Sequence, residues 1–371
     1  MVAAEFTDSS HDCVPFVTGT GQHRNRSERG GGPGRTGTKR FVQGVLAVKL
    51  SVIIPCYNVA AELPTLIRSL HGNLRNDFEF VFVEDRSTDD TYRVLVELIE
   101  DLPGTKLVRH DTNLGLSAAR NTGLVHADGT FLSWLDADDW IGPGYLDQLV
   151  RAIERLGCEF VRTDHVRVTG RRRTVVRSPE TRRNLVIPPR SAISPPFRST
   201  SVDYPMAWAG VHHRRLAERG LLTFSEQLHT CADRHWIWRL HRGSESFATI
   251  GLLGVYHRHN EPESLSRLDD PRFLHFLDAM NMVLAETQTD PEAELLVPKA
   301  VDATCALINY HITKRARLNR DLQRQLVLRC VETLDDMPAE VLDQVLKQGS
   351  PRRRTLLTRL RRDPAALAAV A

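Results

Sequence analysis

The sequence predicts an α/β fold: a mostly parallel sheet with helices on both faces, followed by a helical C-terminal region. Three observations carry this. Short apolar runs alternate with amphipathic segments from Lys49 onward. The connections between them are short, and strand–helix repetition of that kind implies parallel strands covered on both sides. After Pro271 the strand-like runs stop and helical periodicity continues to the end.

The elements follow in order. LSVIIP (50–55) reads as a buried strand, and residues 61–71 place Leu63, Leu66, Ile67 and Leu70 at helical spacing. FEFVFVED (78–85) is a strand. DDTYRVLVELIEDL (89–102) is a helix with acids in its first turn, where the helix dipole favours them. KLVRH (106–110) is a strand, LSAARNTGLVHA (116–127) a helix and FLSWLD (131–136) a strand. Another helix covers 143–157, and CEFVRTD (158–164) is a further strand. HVRVTGRRRTVVR reads as a hairpin turning at Gly170. Residues 178–205, rich in Pro, Ser and Arg, read as a long loop, which in a compact domain is usually functional or mobile. LHTCADRHWIWRLH (228–241) is helical, and breaks in the C-terminal helices are expected near Pro291, Pro338 and Pro351.

Bulk properties narrow the function. Forty-nine Lys and Arg against 46 Asp and Glu give +3, which does not call for nucleic acid. No apolar run approaches the roughly 20 residues that span a bilayer. The N-terminal MVAAEFTDSSHD carries acids and no apolar core, so no signal peptide is expected. Cysteines 13, 56, 158, 231, 305 and 330 form no CxxC pair, which fits reduced thiols in a cytoplasm and no zinc site.

The chemistry lies in the acids. VFVED (81–85) and WLDADDW (134–140) both end a strand in carboxylates. Ligands of open parallel sheets sit beyond the carboxyl ends of the strands, so both groups should face one crevice. Paired carboxylates there suit a hard divalent cation, Mg²⁺ or Mn²⁺, with substrate phosphates as its other partners. A single such acid would more simply cap a turn. Three in DADD, with a second acidic strand end nearby, favour metal–phosphate chemistry.

LSVIIPCYN (50–58), VEDRSTDDT (83–91), NLGLSAARNTGL (113–124) and WLDADDW (134–140) occur in the order and spacing of family-2 glycosyltransferases with the GT-A (Rossmann-like) fold. The chain resembles that family, in its bacterial cell-envelope or capsular polysaccharide type, strongly over 49–140 and more weakly over 205–265. The resemblance implies a nucleotide-sugar donor, most often a UDP-sugar, a divalent metal and inversion at the anomeric carbon. By position it puts Pro55, Tyr57 and Asn58 around the nucleoside and Asp85 on the base. Arg120 would approach the diphosphate or base, and Asp136 the ribose or metal. Asp138 would hold the metal on the diphosphate, and Asp139 would support the metal or contact the sugar. Composition marks a disordered Gly/Arg-rich tail at 1–47, the resemblance a catalytic domain at 48–265, and helical periodicity a C-terminal region with a basic tail at 266–371. Within the catalytic domain, 48–140 would be the nucleotide-sugar half and 141–265 the acceptor half.

Two positions depart from the family pattern. Glu84 stands where an Asp is usual, and Arg86 where a Gly is usual. Gly adopts positive φ at little cost and Arg does not. Inverting transfer also needs a base to take a proton from the acceptor hydroxyl. The family's acidic pair is Ala232-Asp233 here, so Asp233 is the expected base, with helix N-capping as its plainer alternative and Glu226 as the second candidate base. Trp236 and Trp238 could stack on a sugar, although helical aromatics more often belong to a core. In YHRHNEPESLSR (256–267) the resemblance points to Arg258 on the diphosphate and Ser264 in a lid over the donor, and His257 or His259 could join the metal shell.

Residues 167–190 hold eight arginines (167, 171, 172, 173, 177, 182, 183, 190) against Glu180. This is either a solvated basic hairpin and loop or a surface for an anionic glycan or lipid-linked acceptor. PRRRTLLTRLRRDPAALAAVA (351–371), read as a helix, is a short basic amphipathic segment. It would either rest on anionic lipid, giving peripheral contact at the inner face of the membrane, or pack Leu356, Leu357 and Leu360 on the preceding helices. Two other classes use similar acids. A phosphatase of the haloacid dehalogenase type would need an Asp after the first strand, and a nucleotidyltransferase a Gly-rich loop there; LSVIIPCYN supplies neither. A non-catalytic relative that binds a sugar nucleotide or scaffolds an assembly stays open because of Arg86 and Ala232.

Overall fold

The computed structural model describes residues 47–259 and 270–364. The expected tail at 1–47 lies, up to residue 46, outside the described residues, as do Ser264 and the rest of the expected lid segment from residue 260.

Strands β1 (Leu50–Cys56) and β2 (Phe78–Glu84) are buried along their whole lengths. Their near-continuous apolar runs follow from a sheet covered on both faces. With β3 (Thr105–Arg109) and β4 (Phe131–Trp134) they form the parallel order β3-β2-β1-β4. Helices α1 (Leu63–His71), α2 (Thr91–Ile99) and α3 (Leu116–His126) make the crossovers. Leu63, Leu66, Ile67 and Leu70 are the buried face of α1, as their spacing requires. Pro55 is tolerated in a central strand because β4 pairs with β1 only as far as Ile53, so no ladder partner waits for its missing N–H. Gly123 lets α3 lie close on the sheet: a Cβ there would stand 2.3 Å from Cγ2 of Ile53.

A short β5 (Trp140–Ile141) and helix α4 (Tyr145–Leu156) follow, the helix ending at Gly157 with φ of 65°. Next come β6 (Phe160–Thr163), β7 (His165–Thr169) and β8 (Arg172–Val176), the last two forming the expected hairpin at Gly170. Then β9 (Gly210–His213), α5 (Arg215–Glu218), α6 (Ala232–Gly243), β10 (Phe247–Ile250) and β11 (Val255–Arg258) complete the sheets. The main sheet has seven strands in the order β10-β6-β9-β4-β1-β2-β3, and only β9 runs antiparallel to its neighbours. A second sheet, β5-β11-β7-β8, stands beside it.

Several expectations need correction. The sequence reading assigned no strand to β9, β10 or β11; GVHH is too short and too rich in histidine to show alternation. The helix expected at 228–241 starts at Ala232, because Cys231 takes a left-handed conformation with φ of 60°. The 178–205 loop is pinned rather than loose. Ile187 bridges Phe247 and Arg183 bridges Thr249 beside β10, while Ile193, Val202 and Tyr204 are buried.

The C-terminal region is helical as expected: α7 (His275–Gln288), α8 (Ala293–Thr313), α9 (Arg320–Asp335), α10 (Ala339–Gln348) and α11 (Pro351–Arg362). Breaks fall near Pro291, Pro338 and Pro351, and one more at 314–319 precedes α9, whose N-cap Asn319 accepts from the N–H of Leu322. The region docks on α6 through Arg242, which holds Glu286 and Asp290 at 2.6 and 2.9 Å. The basic end does not present a leucine face to lipid. Leu357 and Leu360 are fully buried against the preceding helices, Leu356 packs beside them, and Arg353 and Arg361 pair with Asp302 and Asp335. Among the described residues no helix is long and apolar enough to cross a membrane.

Candidate active site

The strand order reverses between β1 and β4, and the crevice outside the carboxyl ends of β1, β2 and β4 is where this architecture binds ligands. Tyr57, Asn58, Asp85 and the acids of DADD follow these strand ends, Pro55 lies in β1, and Arg120 lies in the second turn of α3.

After β1, Tyr57 is 44% exposed and its ring is free to meet a ligand. Asn58 has φ of 51°, and its side-chain oxygen accepts the N–H of Thr88 at 2.9 Å. It therefore shapes the turn after β2. Glu84, fully buried, accepts the N–H of Ser87 at 2.6 Å and the Arg109 guanidinium at 2.8 Å. Arg86 adopts φ of 55°, so the left-handed position that favours Gly exists here and Arg occupies it. For an L-residue this costs on the order of 1 kcal/mol. The side chain is exposed at the crevice edge.

Asp85 is buried and its carboxylate is already engaged. Oδ1 meets Nδ1 of His110 at 2.7 Å and accepts the N–H of Leu114 at 2.8 Å, while Oδ2 accepts the N–H of Gly115 at 2.7 Å. Gly115, with φ of 90°, lets the chain turn its amides onto the acid as α3 begins. His110 went unremarked in the sequence reading. Its signal was a histidine at the end of KLVRH, a strand adjacent to the acidic one.

Arg120 links two candidates. Its guanidinium, 2% exposed, donates to Oδ1 of Asp233 at 2.6 Å and to Oδ1 of Asp136 at 2.9 Å. Its Nε has no partner among the described residues. Asp233 is the second residue of α6 and does not cap it; its carboxylate also accepts the N–H of Ala207. Desolvation raises the Asp233 carboxyl above its ordinary range, Asp136 adds to this, and Arg120 opposes it. Glu226, by contrast, is exposed and bound to Asn121. Trp236 and Trp238 are core: Trp236 packs with Trp134, Phe224 and His212.

The three acids of DADD separate in role. Asp136 is tied to Arg120. Asp139, 1% exposed, accepts from Arg258 N–H at 2.7 Å and meets His257 Nδ1 at 3.0 Å, so it anchors β11. Arg258 also donates through Nε to the carbonyl of Asp138 at 2.6 Å. Asp138 has no side-chain partner beyond its own N–H among the described residues. Burial, then the charges of Asp139 and Asp136, push its carboxyl up to about 7. Burial likewise raises Asp139, while His257 and Arg258 oppose that shift. The acids do not converge as a set of three ligands; no such group exists among the described residues. One carboxylate crowded by like charge still fits Mg²⁺ or Mn²⁺, since Mg²⁺ binds through one or two carboxylates and keeps waters and substrate phosphates. A cation would also relieve the charge that raises Asp138.

The eight-arginine run is partly spoken for. Arg177 and Arg183 pair with Asp164, Arg182 with Glu180, and Arg190 with Asp290 and Glu292. Among the described residues Arg167, Arg171, Arg172 and Arg173 have no acidic partner.

Residues 51–218 match the model of glycosyl transferase family 2. EpsJ of Bacillus subtilis (strain 168), an uncharacterized glycosyltransferase, is 26% identical over 222 residues, which are 59% of this chain. The chain spans 63% of EpsJ's length. Staphylococcus aureus TarS residues 1–349, solved with UDP, superposes with a TM-score of 0.66 at 20% identity, covering 86% of this chain and 89% of that one. The TarS structure with UDP-GlcNAc gives a TM-score of 0.68 at 20% identity over the same shares. At such identity the likeness shows the GT-A fold.

Proposed function

We propose that the chain, whose residues 51–218 match the model of glycosyl transferase family 2, moves a sugar from a nucleoside-diphosphate sugar to a hydroxyl of a glycan or lipid-linked acceptor, with inversion and with a divalent cation. The observation that carries this is the arrangement Asp138 beside Asp136–Arg120–Asp233, at the carboxyl edge of the sheet. It puts an acid suited to a metal–diphosphate next to an acid suited to a proton. UDP is the favoured nucleotide; that TarS, of the same fold, was solved with UDP and UDP-GlcNAc supports it.

In this reading Tyr57, near the turn that Asn58 and Pro55 shape, meets the nucleoside. Asp85, held in place by the N–H groups of Leu114 and Gly115, keeps one lone pair of Oδ2 for the base. Arg258 lies beside the diphosphate. Asp138 would hold Mg²⁺ or Mn²⁺, which supplies positive charge against the leaving diphosphate. Asp136 and Asp139 place that carboxylate through Arg120 and through the end of β11. Asp233 takes the proton of the acceptor hydroxyl. The acceptor oxygen then bonds the anomeric carbon from the face opposite the diphosphate, and the nucleoside diphosphate departs with the electrons of the broken C–O bond. Desolvation of Asp233 raises its basicity, which favours that role. Cell-envelope polysaccharide synthesis in the cytoplasm, against a lipid-linked acceptor at the inner membrane face, is the setting this chemistry suits.

A screen of nucleotide sugars, reading released nucleoside diphosphate with divalent ion and with chelator, tests the proposal. Release from one donor, lost in chelator, is expected. Equal rates in chelator would sink the metal assignment, and no release from any donor would favour a binding or scaffold role.

A further inference from the structure

The second sheet carries an aromatic and cationic platform at the edge of the crevice. Trp140, the residue after the acidic pair, lies in β5 and stacks on Tyr256 of β11, with ring centroids 5.4 Å apart and planes 3° from parallel. Two guanidinium groups reach the same indole. The central carbon of Arg258 stands 4.9 Å from the ring centroid and that of Arg173 stands 5.7 Å from it. The strand register accounts for this. Trp140 pairs with Tyr256, and two residues on, Arg258 pairs with Val168, which pairs with Arg173. Residues two apart on a strand share a face, so these side chains line one side of the sheet.

Two like charges over one indole repel each other. Among the described residues the Arg173 guanidinium donates to the carbonyls of Gly170 and Arg172, and that of Arg258 to the carbonyl of Asp138. Among the described residues neither has a carboxylate at ion-pair distance. Arg171 and Arg172 extend the positive strip along the exposed hairpin. Charge on an edge strand can serve simply to block pairing with another sheet. That purpose is met by Arg171 and Arg172 and does not require Arg173 to lean over Trp140. The chain continues from Asp138 and Asp139 directly into Trp140, so whatever sits on the platform lies beside the reacting end of the donor.

We propose that Trp140, Tyr256 and Arg173 bind the acceptor, with Arg258 marking the boundary to the donor diphosphate, and that the acceptor is a glycan carrying phosphodiester or carboxylate groups. This rests on the glycosyl-transfer reading and names the acceptor class for the same site. The Arg173 guanidinium would meet an anionic group of the acceptor, which Arg binds in bidentate fashion, and the indole it leans on would meet the adjoining sugar ring. A glycan suits this better than a bilayer, because the leucines that could have inserted into lipid are buried in α11.

The test uses the full chain and three probes: oligogalacturonate as an anionic glycan, malto-oligosaccharide as its neutral counterpart, and UDP with Mn²⁺ for the donor side. Wild type should bind oligogalacturonate and not malto-oligosaccharide. Arg171→Gln/Arg173→Gln should weaken oligogalacturonate about 10-fold, as expected for loss of one or two charge-assisted contacts. UDP–Mn²⁺ binding should stay within about twofold, since the charges removed lie off the donor side. Trp140→Leu should also weaken the glycan, which mere charge collection would not require. Unchanged oligogalacturonate binding in the double variant would overturn the proposal. So would equal binding of the neutral glycan, parallel loss of UDP, or capture of wild type by phosphatidylglycerol vesicles without any glycan binding. Glycan binding that follows these expectations in a protein that never binds UDP would leave the platform standing and remove the glycosyl-transfer reading beneath it.

Discussion

In the proposed reaction Asp233 and Asp138 divide the chemistry, and burial raises both carboxyls above the ordinary range. Asp233 shares Arg120 with Asp136 yet is raised by desolvation. Replacing it with Asn keeps the shape and removes the proton acceptor. Asp233→Asn should cut transfer by about 10²-fold or more while donor binding stays nearly intact. Transfer crippled by Glu226→Gln and spared by Asp233→Asn would reassign the base. Asp138 has a folded value of about 7, above the roughly 4 of an unfolded Asp. The stability linked to a raised acid is fully present below the unfolded value and is lost as pH rises through about 7. Metal-free protein should therefore lose stability between pH 4 and 7 through this group, and Asp138→Asn should flatten that loss. Saturating Mn²⁺ should raise Tm by about 3–5 °C at pH 8 and far less at pH 5. An equal rise at both pH values would detach the metal from Asp138. The acids themselves were legible as residues at strand ends. Their division of labour was not, because it depends on Arg120, His257 and Arg258, which come from distant segments. Arg86 was legible as a departure from the family pattern, and its left-handed backbone is of the kind that favours Gly.

The elements readable in advance were those with a clear period. Apart from the two-residue β5, which the sequence reading did not assign, the strands and helices from β1 to α4 carry either unbroken apolar runs or spaced leucines, and they lie within a few residues of where the pattern puts them. Strands β9, β10 and β11 hold four residues each, too few for a period to show, and they exist because β6 and β7 offer them partners. The 178–205 segment looked loose from its Pro, Ser and Arg content, yet tertiary contacts hold it along β10. Helix α11 shows the same limit. Its alternation of Leu and Arg is compatible with lipid or with protein, and only the neighbouring helices decide. Since Leu360 is fully buried, Leu360→Ala should cost about 2–5 kcal/mol of stability, measured by chemical denaturation. A change below about 0.5 kcal/mol, the scale of surface positions, would return the leucine face to solvent.

At the scale of the whole molecule, a seven-stranded sheet forms the crevice, a four-stranded sheet its cationic flank, and the helical region holds α6 in place behind Asp233. In the proposed reading, nucleotide, metal and acceptor chemistry fall on three structural units that meet at DADDW. The account's central claim is that this meeting point binds a nucleoside diphosphate through a cation on Asp138. Calorimetric titration of UDP into the full chain with Mn²⁺ tests it most directly. One site per chain is predicted, weakened at least about 10-fold by chelation or by Asp138→Ala, a loss of 1.4 kcal/mol or more. UDP binding of equal strength in the Asp138→Ala variant, or none in the wild type with Mn²⁺ present, would contradict the account.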